Sequence, residues 1–200
     1  MTHINHIILE VPDTTAAKAF YGAAFDVDKQ IELRQAADEP SGGFRGFTLS
    51  LVVGQPSTVD SLYASALTAG ATEIKPVSRS FWGYGGSLRA PDGAIWKIAS
   101  SSKKETGPAT RQIDEVVLLL GVDDVKATRQ FYVDHGLKVG KSFGSKYVEL
   151  ETSNVKLALY GRKALAKDAG VPVEGSGPQH MTISGDAGTF TDPDGFRWEA

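Results

Sequence analysis

Residues 191–200 read TDPDGFRWEA, and a closely similar segment, APDGAIWKIA, occupies residues 90–99. In each copy proline presets φ for the first corner of a tight turn, aspartate caps the turn, and glycine takes the left-handed conformation that other residues avoid. A β-strand is therefore predicted to leave each turn. The recurrence indicates that the chain is built from repeated units.

The residues that follow the second turn alternate in character along the predicted strand. Period two places Arg197 and Glu199 on one face, and Phe196 and Trp198 on the other. In the first copy Lys97 stands where the second copy has Glu199. If the sheet curls round a cavity, Glu199 is expected to point into it, with Lys97 at the equivalent place in the other copy.

Composition bounds the class of protein. The chain has 200 residues, of which 41% are hydrophobic, enough for one large domain or two domains of about a hundred residues each. A net charge of −3 offers no basic stripe for a phosphate backbone, so nucleic acid is not expected as a partner. The chain has no cysteine and no apolar run of membrane-spanning length. We expect a cytoplasmic protein, monomer or homodimer, with a small-molecule ligand and no membrane partner.

Strand and helix signals recur in an order that divides the chain into four modules. Phe131-Tyr132 in the leading helix of the second half repeats Phe20-Tyr21 in the first. Modules two and three read as complete strand, helix, strand, strand, strand units, whereas modules one and four are abbreviated. The polar segment 101–111 reads as a linker, so we predict one domain at 1–100 and a second at 112–200.

A chain of such modules that opens Ile4-Asn5-His6-Ile7, carries Phe-Tyr in each leading helix and ends Asp-Pro-Asp-Gly-x-x-Trp-Glu resembles the vicinal oxygen chelate superfamily. This group contains glyoxalases, bleomycin-resistance proteins and extradiol dioxygenases. The resemblance spans nearly the whole chain. It implies an α+β fold in which four βαβββ-derived modules, the first and last abbreviated, form two cupped half-barrels. It also implies that a metal, where present, is held in a cup by His or Glu on a first strand and Glu on a last strand.

Carried over to this chain, the resemblance implies two alternative ligand sets. If modules one and four pair, His6, His180 and Glu199 are expected to converge; if modules three and four pair, the set becomes Glu115, His180 and Glu199. Either set suits one divalent ion such as Fe, Mn, Zn or Ni, and the absence of a metal stays equally open. Glu199 is also the candidate catalytic carboxylate that moves a proton.

An aromatic, glycine-rich stretch suggests a wall for a flat ligand. Trp82 and Tyr84 lie in the sequence FWGYGG at residues 81–86. Phe47, Trp96 and Lys97 complete the candidate ligand pocket.

Two functions of different kinds follow from the resemblance. The first is a glyoxalase-like or dioxygenase-like protein, an enzyme of the lyase or dioxygenase kind, in which one divalent metal polarises a small oxygen-bearing substrate. The alternative is a metal-free protein of the bleomycin-resistance type that sequesters an aromatic small molecule. Fold does not decide between them.

Overall fold

The computed structural model describes residues 1–37, 39–81 and 83–200. Asp38 and the candidate pocket residue Trp82 lie outside the described residues. Within the described part no helix is long and apolar enough to cross a membrane.

The first half of the chain contains modules one and two. Module one comprises β1 (Thr2–Val11), α1 (Thr14–Ala24), β2 (Ile31–Gln35) and β3 (Gly42–Gly43). Module two comprises β4 (Phe47–Val52), α2 (Pro56–Thr68), β5 (Thr72–Ser80), β6 (Gly83–Arg89) and β7 (Ile95–Ser100). Asp13 caps α1 by accepting a hydrogen bond from the backbone N–H of Ala16, as its place before the helix predicts.

The second half repeats this plan. Module three comprises β8 (Glu115–Val122), α3 (Val125–Asp134), β9 (Val139–Phe143), β10 (Tyr147–Leu150), β11 (Thr152–Ser153) and β12 (Lys156–Gly161). Module four comprises α4 (Arg162–Ala169), β13 (Gly175–Ser176), β14 (Met181–Gly185), β15 (Phe190–Thr191) and β16 (Arg197–Glu199). Between the halves, residues 101–111 form no helix or strand.

Strand pairing answers the question of which modules associate. One sheet has the order β11-β1-β14-β16-β15, with β2 also paired to β1, so it joins modules one and four. The other has the order β5-β6-β7-β4-β8-β12-β10-β9, so it joins modules two and three. Neither sheet is closed, and the α+β fold with two open, cupped sheets is confirmed. Each sheet takes strands from both halves; 101–111 as a domain boundary stays a prediction.

A single buried cluster connects both sheets to the helices. Ile7 and Leu9 of the first sheet belong to the same cluster as Leu49, Trp96 and Leu118 of the second. Along each of these strands the intervening residues point to the opposite face. That opposite face is the concave one, and it carries the polar side chains considered below.

The repeated Phe-Tyr and Pro-Asp-Gly segments form two matching hydrogen-bonded groups, one in each half, each built from a tyrosine, an aspartate and a tryptophan. Tyr21 of α1 donates to the Asp92 carboxylate at 2.7 Å and accepts from the Trp96 indole N–H at 3.3 Å. In the second half Tyr132 of α3 donates to Asp192 at 2.8 Å and accepts from the indole N–H of Trp198 at 3.2 Å.

The two carboxylates occupy different places in the turn sequence. Asp92 lies inside its Pro-Asp-Gly turn, whereas Asp192 precedes the second one. Burial raises the pKa of Asp192 and raises that of Tyr132 well above its usual value. Asp192 is 5% exposed whereas Asp92 is half-buried, so the carboxylate of the second group is the more deeply buried of the two.

Helix α4 fills much of the concave face of the second sheet. Leu165, Ala166 and Ala169 pack against Phe44 and Ile95 in a small cluster of their own. Ile95 faces this cluster because its neighbour Trp96 faces the main core.

The far end of α4 is fixed by a lysine. The Lys75 ammonium donates to the backbone carbonyls of Lys167 and Asp168, at 2.9 and 2.6 Å. These carbonyls belong to the last turn of the helix, where the backbone leaves acceptors only partly used, and a cation there also complements the helix dipole. The second concave face is thus largely occupied by the chain itself.

Candidate functional site

The concave face of the first sheet is the candidate site, and we call it the first cup. Cross-strand pairing defines its members: Ile8 lies between Glu32 and Thr182, and Thr182 lies beside Arg197. The side chains of the first cup are His6, Ile8, Glu10, Glu32, Arg34, Thr182, Ser184, Arg197 and Glu199.

Arg34 and Glu199 form a two-pronged ion pair across the first cup. The guanidinium nitrogens of Arg34 donate to the two carboxylate oxygens of Glu199 at 2.9 and 3.2 Å. Their strands, β2 and β16, are separated by β1 and β14, so the pair spans about 14 Å of sheet. Beneath it Ile8 is 0% exposed. The hydrogen bonds from Arg34 hold the pKa of Glu199 below its usual range.

Glu10 is the centre of a second group of charges. It accepts a hydrogen bond from the Arg197 guanidinium on one carboxylate oxygen, and its other oxygen lies 3.5 Å from Nδ1 of His180. His180 is only 8% exposed. Its Nε2 donates to the backbone carbonyl of Glu39 at 2.8 Å, because a carbonyl oxygen can only accept. Nδ1 has no hydrogen-bond partner among the described residues.

The backbone at His180 is unusual. Its φ is 52°, in the left-handed region that non-glycine residues rarely adopt. In this conformation, just before β14, the imidazole places Nδ1 3.5 Å from the Glu10 carboxylate.

Three cavities meet around Glu10. One of about 310 Å³ is bordered by Glu10, Arg34, Arg197 and Glu199. Two more, of about 430 and 380 Å³, are bordered by Glu10, His180 and the loop that carries Glu39. Glu10 is the carboxylate that all three share, so a ligand in any of them meets it.

The predicted ligand His6 lies elsewhere in the same cup. Its side chain is 40% exposed, and its Nδ1 is 3.9 Å from a Glu32 carboxylate oxygen. His180 instead lies at the level of Glu10, since the Glu10 N–H donates to its carbonyl. Four residues along a strand correspond to about 13 Å, so the two imidazoles stand at different ends of the cup.

The alternative ligand Glu115 lies on the second sheet. Its carboxylate pairs with the Lys156 ammonium at 2.6 Å. Because β8 belongs to the eight-stranded sheet, Glu115 does not share a cup with His180 or Glu199.

The donor set of the first cup does not fit a divalent metal. Glu199 is engaged by a guanidinium, and a second guanidinium, that of Arg197, is bound to Glu10. Two cations next to a divalent ion are unfavourable by Coulomb's law. In the described ranges, no three His, Asp or Glu side chains are grouped closely enough to hold a metal ion.

The candidate pocket residues separate into two groups. Phe47 and Trp96 are 2% and 0% exposed and face the main core rather than a cavity, because they alternate with the residues of the concave face. Tyr84 and Lys97 border a groove of about 360 Å³ on the second sheet. The Tyr84 hydroxyl donates to Asp60 at 2.7 Å, and Lys97 pairs with Asp168 of α4 at 2.8 Å.

Comparison with solved structures identifies the fold. Maize (Zea mays) glyoxalase I superposes with a TM-score of 0.61 at 14% identity, covering 99% of this chain and 91% of the maize chain. The chain has the glyoxalase fold. A putative dioxygenase from Bacillus subtilis matches with a TM-score of 0.57 at 13% identity, over 92% of this chain and 69% of its own. No family model matches the sequence, and no curated protein does.

Within this glyoxalase fold, sequence reasoning missed Glu10 and Arg34. A signal for Glu10 was present, because it is a lone acid at the end of the apolar run Ile7 to Leu9 and shares the period-two face of His6. Arg34 carried no such signal. Its role depends on β2 pairing with β1, which places it directly opposite Glu10.

Proposed function

We propose that this chain binds a small, polar, oxygen-bearing molecule in the first cup and does so without a divalent metal. The observation that carries the proposal is the two-pronged hydrogen bond from Arg34 to Glu199. Glu199 is the carboxylate that the family resemblance assigns to a metal. Here a guanidinium takes the place that a metal cation would fill and bonds to both carboxylate oxygens.

The first cup offers both donors and acceptors to such a molecule. The guanidinium groups of Arg34 and Arg197 are 45% and 55% exposed and can each turn toward a ligand oxygen. Partly exposed ion pairs contribute little stability, so a ligand can replace one at small cost. The cavities beside them, of about 310 and 380 Å³, have volumes in the range of small-molecule sites.

Elemental analysis and thermal unfolding test whether the protein binds a divalent metal. Purified protein is exposed to Fe(II), Mn(II), Zn(II) or Ni(II), desalted and analysed, with Glu199→Gln as the control that lacks the acceptor. We expect no stoichiometric metal and no rise in unfolding temperature over protein kept in EDTA. Stoichiometric metal in the wild type that is lost in Glu199→Gln would refute the proposal and support the metal-dependent alternative.

A second candidate function is supported by the groove on the second sheet. Tyr84 and Lys97 border it, and the neighbouring Phe81 is 83% exposed, so aromatic surface lies beside a cavity. Such a groove suits the sequestering of a planar aromatic molecule, as in the bleomycin-resistance reading. Titration with planar aromatic compounds, comparing wild type with Tyr84→Ala, tests it. Equal affinity of the two proteins would leave Tyr84 without a binding role.

A further inference from the structure

Glu10 and Arg34 form a matched pair of opposite charges on the floor of the first cup. The two residues lie directly opposite each other in the register of β1 and β2. Adjacent strands are about 4.8 Å apart, so the two side chains leave the sheet from neighbouring positions on one face. Neither uses the other as its hydrogen-bond partner, because both are engaged by residues of β16.

Strand β16 presents the complementary pair. Arg197 brings a cation to Glu10, and Glu199 brings a carboxylate to Arg34. These two residues are two positions apart on one strand and share a face. Strand β16 thus carries one guanidinium and one carboxylate that occupy the Glu10 and Arg34 side chains of the first cup.

We propose, resting on the function proposed above, that the ligand of the first cup is a zwitterion of the α-amino acid type. Its ammonium group takes the place of the Arg197 guanidinium on Glu10, and its carboxylate takes the place of the Glu199 carboxylate on Arg34. The two ends of an α-amino acid are about 2.5 Å apart, close enough to reach neighbouring side chains on adjacent strands. In the absence of ligand, Arg197 and Glu199 occupy the positions of its ammonium and carboxylate groups, and the ligand displaces them.

The exposure of the Glu10 and Arg197 side chains supports this exchange at Glu10. The Glu10 side chain is 16% exposed, whereas that of Arg197 is 55% exposed. Glu10 is therefore the less mobile partner and Arg197 the more mobile one.

Charge balance argues against a ligand that carries only an anion. The first cup holds the carboxylates of Glu10, Glu32 and Glu199 against the guanidinium groups of Arg34 and Arg197. A purely anionic molecule would meet more carboxylates than guanidinium groups. A zwitterion meets a partner at each end.

The cavity of about 310 Å³ that is bordered by all four charged groups has a volume in the range of small-molecule sites. Phe190 also borders it, but its ring lies on the Trp198 face of the sheet, stacked on that indole at 5.5 Å, so it does not select the substituent of the zwitterion.

Isothermal titration with three matched probes tests the inference. L-Phenylalanine carries both charges, 3-phenylpropionate lacks the ammonium group and 2-phenylethylamine lacks the carboxylate. With EDTA present, we expect L-phenylalanine to bind at least about tenfold more tightly than either truncated probe, because each of these leaves one receiving group without its partner. Equal affinity for 3-phenylpropionate would overturn the zwitterion inference and leave metal-free binding intact. Binding of none of the three would overturn the inference, and stoichiometric metal in the same protein would overturn the proposed function as well.

Substitutions on the two sides of the exchange should act in opposite directions. Glu10→Gln and Arg34→Met remove receiving groups and are expected to weaken L-phenylalanine binding at least about tenfold. Arg197→Gln and Glu199→Gln remove the groups that the ligand displaces and are expected to strengthen it by up to about fivefold, the equivalent of one partly exposed ion pair. Asp168→Asn, in α4 over the second sheet, is the control and should leave affinity unchanged. Weaker binding in both β16 variants would refute the exchange, whatever the stability of the Glu10 and Arg34 variants.

Discussion

At the residue scale, the acidity of Glu199 is controlled by one guanidinium. Arg34 lowers the pKa of this carboxyl from its ordinary value of 4.5. A carboxyl with a depressed pKa adds stability that is fully present above its unfolded-state pKa and is lost as the pH falls through the folded-state pKa. Because both side chains are more than a third exposed, solvent screening keeps this contribution below about 1 kcal/mol.

Arg34→Met should therefore raise the pKa of Glu199 toward 4.5. We also expect a loss of less than about 1 kcal/mol in the free energy of unfolding near pH 7, with no difference between variant and wild type once the pH lies below the folded pKa. Carboxyl NMR titration measures the pKa, and urea unfolding at several pH values measures the stability. An unchanged pKa of Glu199 would contradict the pairing.

The tyrosines of the two hydrogen-bonded groups offer a paired comparison. Tyr132→Phe leaves Asp192, which is 5% exposed, with an unpartnered oxygen, and the Trp198 N–H without an acceptor. We expect a loss of about 1–3 kcal/mol in the free energy of unfolding. Tyr21→Phe should cost less, because Asp92 is only half-buried and water can replace the lost hydroxyl. Urea unfolding of both variants checks this, and equal losses would contradict the difference in burial.

The face of a sheet on which a side chain lies could be predicted from the sequence wherever strand alternation applies. The same rule that placed Glu199 opposite Trp198 also places Trp96 opposite Lys97, so only one of Trp96 and Lys97 could face a cavity. Lys97 does so, and Trp96 lies in the core. The Arg34 to Glu199 ion pair could not be predicted, because it depends on the order of four strands that are distant in the sequence.

At the element scale, helix α4 has a structural role that a matched pair of substitutions can isolate. Leu165→Ala removes a side chain that is 1% exposed and packed between α4 and the second sheet. We expect a loss of about 2–5 kcal/mol in the free energy of unfolding. Lys163→Ala, on the exposed side of the same helix, should change it by no more than about 0.5 kcal/mol. Equal effects in urea unfolding would show that α4 does not pack as described.

Most helices and strands could be predicted because their signals are local. The N-caps Asp13 and Asp124 and the proline at the start of α2 each act within one helical turn. The place of α4 could not be predicted in this way. Its position over the second sheet depends on contacts with Phe44 and on the distant Lys75, which no local pattern encodes.

At the scale of the whole molecule, the sheets tie the two halves of the chain together. Strand β1 pairs with β14, and strand β4 pairs with β8. Each of these pairs joins one strand from the first half to one from the second, so either half alone leaves a central strand of both sheets without a neighbour. The segment 101–111 is also held in place, because the Gln55 side chain accepts hydrogen bonds from the N–H groups of Thr106 and Gly107.

Fragments test whether residues 1–100 and 112–200 fold as separate domains. From the strand pairing we expect 1–100 alone to lack a cooperative unfolding transition, and the native circular dichroism spectrum to return when it is mixed with 101–200. Intact protein unfolded and refolded under the same conditions is the control. A native-like transition in 1–100 by itself would favour independent domains. The sequence repeat predicts the modules, but long-range pairing decides which modules associate.

The pairing of β1 with β14 also imposes an order on biosynthesis. During translation β4 can pair with β8 once the middle of the chain has left the ribosome. Strand β1 is made first but can pair with β14 only after about 170 further residues have been synthesised. Until then the edge of β1, with the apolar Ile7 and Leu9, has no neighbour on the β14 side, and such edges invite association with other chains. The pocket around Glu10 can therefore form only after β14 and β16 have been synthesised.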